Sequence, residues 1–126
     1  MLFKLVPVKK IPKKGGYIRK AYMQLGDNFA PREIYLNKIE GYCQANWRLH
    51  KRAHLSIQVI SGSASFLIAS DPFGCAISPI NLEESSPWRL LIFPNSWFSF
   101  SSTSSSDLVL LCISDIIHDP TELTIL

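Results

Sequence analysis

The sequence predicts an all-β domain, a sandwich or a barrel. Eight prolines are spread along 126 residues, and the runs between them are short and rich in Ile, Val, Leu, Phe and Ser. That texture favours strands over helices. No segment carries an amphipathic pattern of helix length. The short apolar runs recur at regular spacing with turn residues between them, as in a sandwich or barrel.

Residues 2–8 read as a first strand, kept at a sheet edge by Pro7. Lys13-Lys14-Gly15-Gly16 reads as a turn, residues 17–23 as a second strand, and Gly26-Asp27-Asn28 as another turn. Residues 32–39 alternate as a strand does. Residues 44–50 lead into 55–60, where Leu55, Ile57 and Val59 share one face and His54, Ser56 and Gln58 the other. Ser61-Gly62-Ser63 reads as a hairpin turn into a strand at 64–69. Asp71-Pro72-Phe73-Gly74 is a loop, residues 75–80 a short strand, and 83–87 a loop. Residues 88–93 form a strand stopped by Pro94-Asn95-Ser96, and 97–101 continue it. The Ser/Thr run 101–106 reads as a solvated hairpin loop. Residues 108–114 are apolar on both faces, as a central buried strand requires. The tail from 116 to 126 forms a helical turn at Pro120-Thr121-Glu122 or adds an edge strand.

The length suits one domain, residues 1–126, with a real core. A chain 47% hydrophobic and 18% charged is not disordered. Cys43, Cys75 and Cys112 are odd in number, and their spacing matches no zinc or thioredoxin motif. Reduced thiols and a cytoplasmic setting are the simplest reading. The N-terminal apolar run is too short for a signal peptide, and no stretch approaches the roughly 20 apolar residues of a membrane span. The high apolar content predicts a homodimer in which a sheet face is covered. Pro7 and Pro12 mark a hinge-like lead-in that suits exchange of an N-terminal strand.

Net charge is +3, unevenly placed: residues 1–52 hold twelve Lys/Arg against three Asp/Glu, residues 53–126 one against seven. The halves either attract each other within a fold or dimer, or leave a basic rim for an anionic ligand such as a nucleotide or sugar phosphate.

Four stretches resemble one family. Ile11-Pro12-Lys13-Lys14-Gly15-Gly16-Tyr17 is similar to the opening of nucleotide-sugar epimerases. Trp47-Arg48-Leu49-His50-Lys51 resembles their His-containing first motif, and Ile60-Ser61-Gly62-Ser63 the turn that follows it. Leu91-Ile92-Phe93-Pro94-Asn95-Ser96-Trp97 resembles the second motif. The resemblance covers roughly residues 8–118. It points to the dTDP-4-dehydrorhamnose 3,5-epimerases and the smaller dTDP-4-keto-6-deoxyhexose 3,4-ketoisomerases. It implies a cupin, that is a double-stranded β-helix or jelly-roll-like barrel, and cofactor-independent proton transfer beside a ketone.

The departures are at the chemistry. The ketoisomerases carry Arg-Gly-Gly-His-x-His. Here the first histidine falls on Arg48, the second is kept as His50, and the Arg-Gly becomes Ala45-Asn46. The ligand positions of metal-binding cupins read Arg48, His50, Leu55 and Ser99. One ligand of four does not hold a transition metal, so no metal is expected.

The resemblance makes His50 the base, since a histidine pKa lies near neutrality. Arg48 lies on the same strand face and would stabilise a developing enolate. Arg52 is expected to meet a diphosphate through bidentate pairing. Trp97, Tyr35, Trp47 and Ser99 are expected to line the substrate site, with one tyrosine as an acid. His54 is placed on the face opposite Leu55, and His118 in an exposed tail. Buried cysteine is the ordinary reading of Cys43 and Cys112. Two other readings stand beside this one. One is a non-catalytic cupin that binds a carbohydrate or other small molecule, favoured by the missing histidine. The other is a nucleic-acid-binding barrel, suggested by the Lys9–Lys20 segment around Tyr17. Against the latter, the charge lies in one arm and no strand pair forms a stacking platform.

Overall fold

A computed structural model of the chain describes residues 1–22, 29–73 and 78–126. The strands are β1 (Phe3–Pro7), β2 (Lys10–Lys13), β3 (Gly16–Arg19), β4 (Glu33–Ile39), β5 (Arg48–His50), β6 (Leu55–Ser61), β7 (Ser63–Ala69), β8 (Ile80–Glu83), β9 (Trp88–Ile92), β10 (Trp97–Ser102), β11 (Leu108–Ser114) and β12 (Leu123–Ile125). One five-stranded sheet has the order β1-β9-β6-β11-β4, a second the order β12-β5-β10-β7-β8, and β2 and β3 form a separate hairpin. Every pairing is antiparallel. No helix long and apolar enough to cross a membrane is present among the described residues.

The two large sheets face each other across the core. Leu55, Ile57 and Val59 point inward as their alternation predicts, and meet Leu90, Ile92, Leu108, Leu110, Phe66, Phe98 and Phe100. Phe66 and Phe98 are buried almost completely; each contributes about 2 to 3 kcal/mol by leaving water. The opposite face of β6 is covered too. Ser56 and Gln58 are buried there, beside Arg89, whose Nη1 donates to the Ser56 hydroxyl at 3.1 Å. Phe29 and Tyr22 pack on this outer face with Val6, Leu91 and Ile113.

Several expected elements differ from those observed. β6 and β7 lie in different sheets, so the chain at Gly62 turns a corner between layers and makes no hairpin. Gly62 has φ +87°, and a Cβ there would lie 2.6 Å from the Asp107 carbonyl oxygen. The Ser/Thr run after β10 likewise joins two sheets. Lys10–Lys13 is a strand that the prolines conceal: Pro12 sits in a two-stranded ladder opposite Tyr17. The turn of that hairpin is at Gly15, with φ +80°. The strand expected at 75–80 begins at Ile80 and runs to Glu83; residues 75–77 and the expected turn Gly26-Asp27-Asn28 lie outside the described residues. Of the two alternatives for the tail, the edge strand forms, as β12 beside β5, while residues 120–122 make a turn that is not helical.

Candidate functional site

Strand alternation builds a cavity at one end of the barrel. Arg48 and His50 are two residues apart on β5, so their side chains project to one face. Arg48 stands opposite Phe98 in the register, which makes that face the inner one. Across the barrel, Glu33 and Tyr35 on β4 point inward in the same way, with Tyr35 directly opposite Cys112. The cavity between them holds about 280 Å³ and is lined by Glu33, Tyr35, Arg48, His50, His118 and Glu122, among others.

His50 is held on two sides. Its ring stacks on Phe98 at 6.0 Å, nearly parallel. Its Nδ1 lies 2.8 Å from Glu122 Oε2. A carboxylate only accepts, so Nδ1 carries the proton and Nε2 is the basic nitrogen. The other Glu122 oxygen accepts the backbone N–H groups of Arg52 at 3.1 Å and Ala53 at 2.9 Å. Burial alone would raise the Glu122 carboxyl. The hydrogen bonds from His50, Ala53 and Arg52 outweigh it, and the group sits below the ordinary value of 4.5.

The deeper part of the cavity is different. The Arg48 guanidinium lies over the Phe100 ring, 5.6 Å from its centroid. Burial pushes the Tyr35 phenol up, an effect that the neighbouring Cys112 reinforces. Burial also pushes the Cys112 thiol up, to about 12. Both groups therefore keep their protons at neutral pH.

Of the residues expected in the site, the structure brings His50, Arg48 and Tyr35 together. It does not bring the others. Trp97 and Ser99 alternate with the core residues Phe98 and Phe100 along β10, so they face away from the cavity. The Ser99 hydroxyl donates to the Ala45 carbonyl at 2.8 Å. Trp47 precedes β5 and does not line the cavity; its carbonyl accepts the Leu126 N–H at 2.9 Å. Arg52 lies outside the cavity, paired with Asp119 at 3.2 Å. His54 points elsewhere, its Nδ1 2.8 Å from Asp115 Oδ2.

Glu122, Glu33 and His118 line the cavity without a sequence signal strong enough to have named them. His118 does lie in the exposed tail as expected, but that tail folds over the cavity mouth, where its N–H donates to Glu33 at 3.1 Å. Among the described residues, no group of three or more His, Cys, Asp or Glu side chains is placed to hold a metal ion.

No protein-family model and no curated protein sequence matches the chain. Solved structures do match. A dTDP sugar isomerase from Desulfovibrio desulfuricans G20 superposes with a TM-score of 0.83 at 20% identity, over 98% of this chain and 83% of that one. QdtA, a sugar 3,4-ketoisomerase from Thermoanaerobacterium thermosaccharolyticum in complex with TDP, gives 0.81 at 20% identity, over 97% and 86%. A mutant of the same ketoisomerase was solved with TDP-4-keto-6-deoxyglucose. A dTDP-4-dehydrorhamnose 3,5-epimerase from Bacillus anthracis gives 0.83 at 13% identity, over 98% and 78%. What the chain shares with them at these identities is the RmlC-like cupin fold.

Proposed function

We propose that this cupin is a cofactor-independent epimerase or ketoisomerase acting on a nucleotide-linked 4-keto-6-deoxyhexose. One observation carries the reading: an imidazole whose Nδ1 is tied to a buried carboxylate faces a guanidinium and a phenol in one cavity. His50 Nε2 removes the proton beside the ketone. Glu122 then balances the imidazolium, as a carboxylate behind a histidine base does. Arg48 stabilises the enolate oxygen. Tyr35, kept protonated by burial, is the proton donor on the opposite wall. A cavity of about 280 Å³ suits a single sugar ring and leaves the nucleotide at the mouth. The likeness to folds that hold TDP and TDP-4-keto-6-deoxyglucose supports the ligand class.

The protein is read as a cytoplasmic homodimer. Ile34 and Leu36, 64% and 67% exposed on the edge strand β4, support a covered sheet face.

Incubation with TDP-4-keto-6-deoxyglucose in deuterated water tests the activity. Mass spectrometry is expected to find deuterium on carbon beside the ketone. His50→Ala is expected to slow its entry by about 10² to 10⁴. Equal exchange with and without the imidazole would remove the proposal's basis.

A further inference from the structure

A second cavity is larger than the one that holds His50. It lies at the other end of the barrel, where β6 ends, β7 begins and the chain passes from β10 to β11, and the β2–β3 hairpin roofs it. It holds about 620 Å³, against about 280 Å³ around His50. A neighbouring hollow of about 480 Å³ shares Ser63 and Glu83 with it and adds Asn81, Ser86 and Thr103.

The lining decides what fits. Apart from the Tyr17 ring, no apolar side chain lines the larger cavity, so a hydrophobic ligand finds no wall to replace water. Its cations are already engaged. Arg19 donates from Nη1 to the Val59 carbonyl at 3.3 Å and from Nη2 to the Glu84 carbonyl. The Lys10 ammonium lies 4.0 Å from the centre of the Tyr17 ring. Glu83 and Glu84 equal these two charges in number, so the lining is neutral overall and offers an anion no net attraction. Unused groups remain. The hydroxyls of Ser61, Ser63 and Ser106 make no hydrogen bond within the described chain, and the Glu84 carboxylate is in no ion pair there. Each hydroxyl both donates and accepts, and each carboxylate accepts from two neighbouring hydroxyls.

We infer that this end of the barrel is a second binding site, for an uncharged carbohydrate of more than one ring. A polyhydroxyl ligand matches mixed donors and acceptors without net charge, and the paired hollows exceed the space around His50. The inference is independent of the activity proposed for His50. It follows from the corner at Gly62, which holds Ser61 and Ser63 at the rim.

Titration of the isotopically labelled full chain with maltotriose, cellotriose and chitotriose tests it by amide chemical shifts. At least one is expected to move the amides of Ser61, Ser63, Glu84 and Ser106 and to leave His50 unmoved. Glu84→Gln, at an exposed turn, keeps an acceptor but no charge and is expected to keep the fold and weaken that binding about 5- to 10-fold, the loss of charge assistance to one hydrogen bond. Ser63→Ala provides an independent check at the opposite rim, and His50→Ala is expected to bind as the wild type does. No shift with any trisaccharide at about 20 mM, well above millimolar affinities, would overturn the inference. So would shifts confined to the His50 cavity, or inorganic phosphate moving the same amides more strongly than the sugars do.

Discussion

At the scale of residues, the site depends on a carboxylate that gathers three donors. Glu122 is almost fully buried and accepts from the His50 ring and from the Arg52 and Ala53 backbones. Its folded-state pKa lies below the ordinary 4.5. The ionised form therefore stabilises the fold fully above the unfolded value, and the gain is lost as pH falls through the lowered folded value. Glu122→Gln keeps an acceptor but no charge, and is expected to cost about 1 to 3 kcal/mol at neutral pH. Urea unfolding from pH 7 to 3 checks this: the variant's deficit shrinks toward acid, and a deficit constant with pH would contradict the assignment. Arg48 and His50 were legible because a spacing of two on a strand puts side chains on one face whatever the rest of the chain does. Glu122 was not, since its contact with His50 spans 72 residues. The same alternation explains why Trp97 and Ser99 lie off the cavity: they are one residue out of step with Phe98 and Phe100, which hold the inner face.

At the scale of elements, turn chemistry marked where strands end but not where the next one goes. Gly62 and Pro94-Asn95-Ser96 stop their strands as expected, and Asn95 adopts φ +63°. Both mark passages between sheets, which a hairpin turn and a layer corner do not distinguish in local sequence. The corner at Gly62 carries a consequence for stability. Alanine there meets both a positive φ and the Asp107 carbonyl oxygen. Gly62→Ala is expected to destabilise by about 1 to 3 kcal/mol, read as a fall in denaturation midpoint with an unchanged m-value. Gly15→Ala, where a Cβ meets nothing within 4 Å, carries only the strain of φ +80° and should cost less. β2 escaped the sequence reading because Pro12 lacks the N–H of an ordinary ladder residue, and a two-stranded hairpin tolerates that loss.

At the scale of the whole molecule, the uneven charge and the exposed Ile34 and Leu36 bear on assembly. If β4 faces a second copy, Leu36→Glu is expected to turn a dimer into a monomer in sedimentation equilibrium while leaving the circular dichroism spectrum unchanged. A variant that sediments as the wild type would move the interface elsewhere. The strand order has a further effect, on how the chain reaches this state. In the sheet β1-β9-β6-β11-β4 no two neighbours are consecutive in the chain. Phe3 must find Ile92, and Ile39 must find Leu108, before either ladder starts. Loop-closure entropy is lost before contacts repay it, so refolding belongs in the range of milliseconds to seconds. With no local hairpin in that layer to serve as a nucleus, each of its ladders forms only by joining segments far apart along the polypeptide.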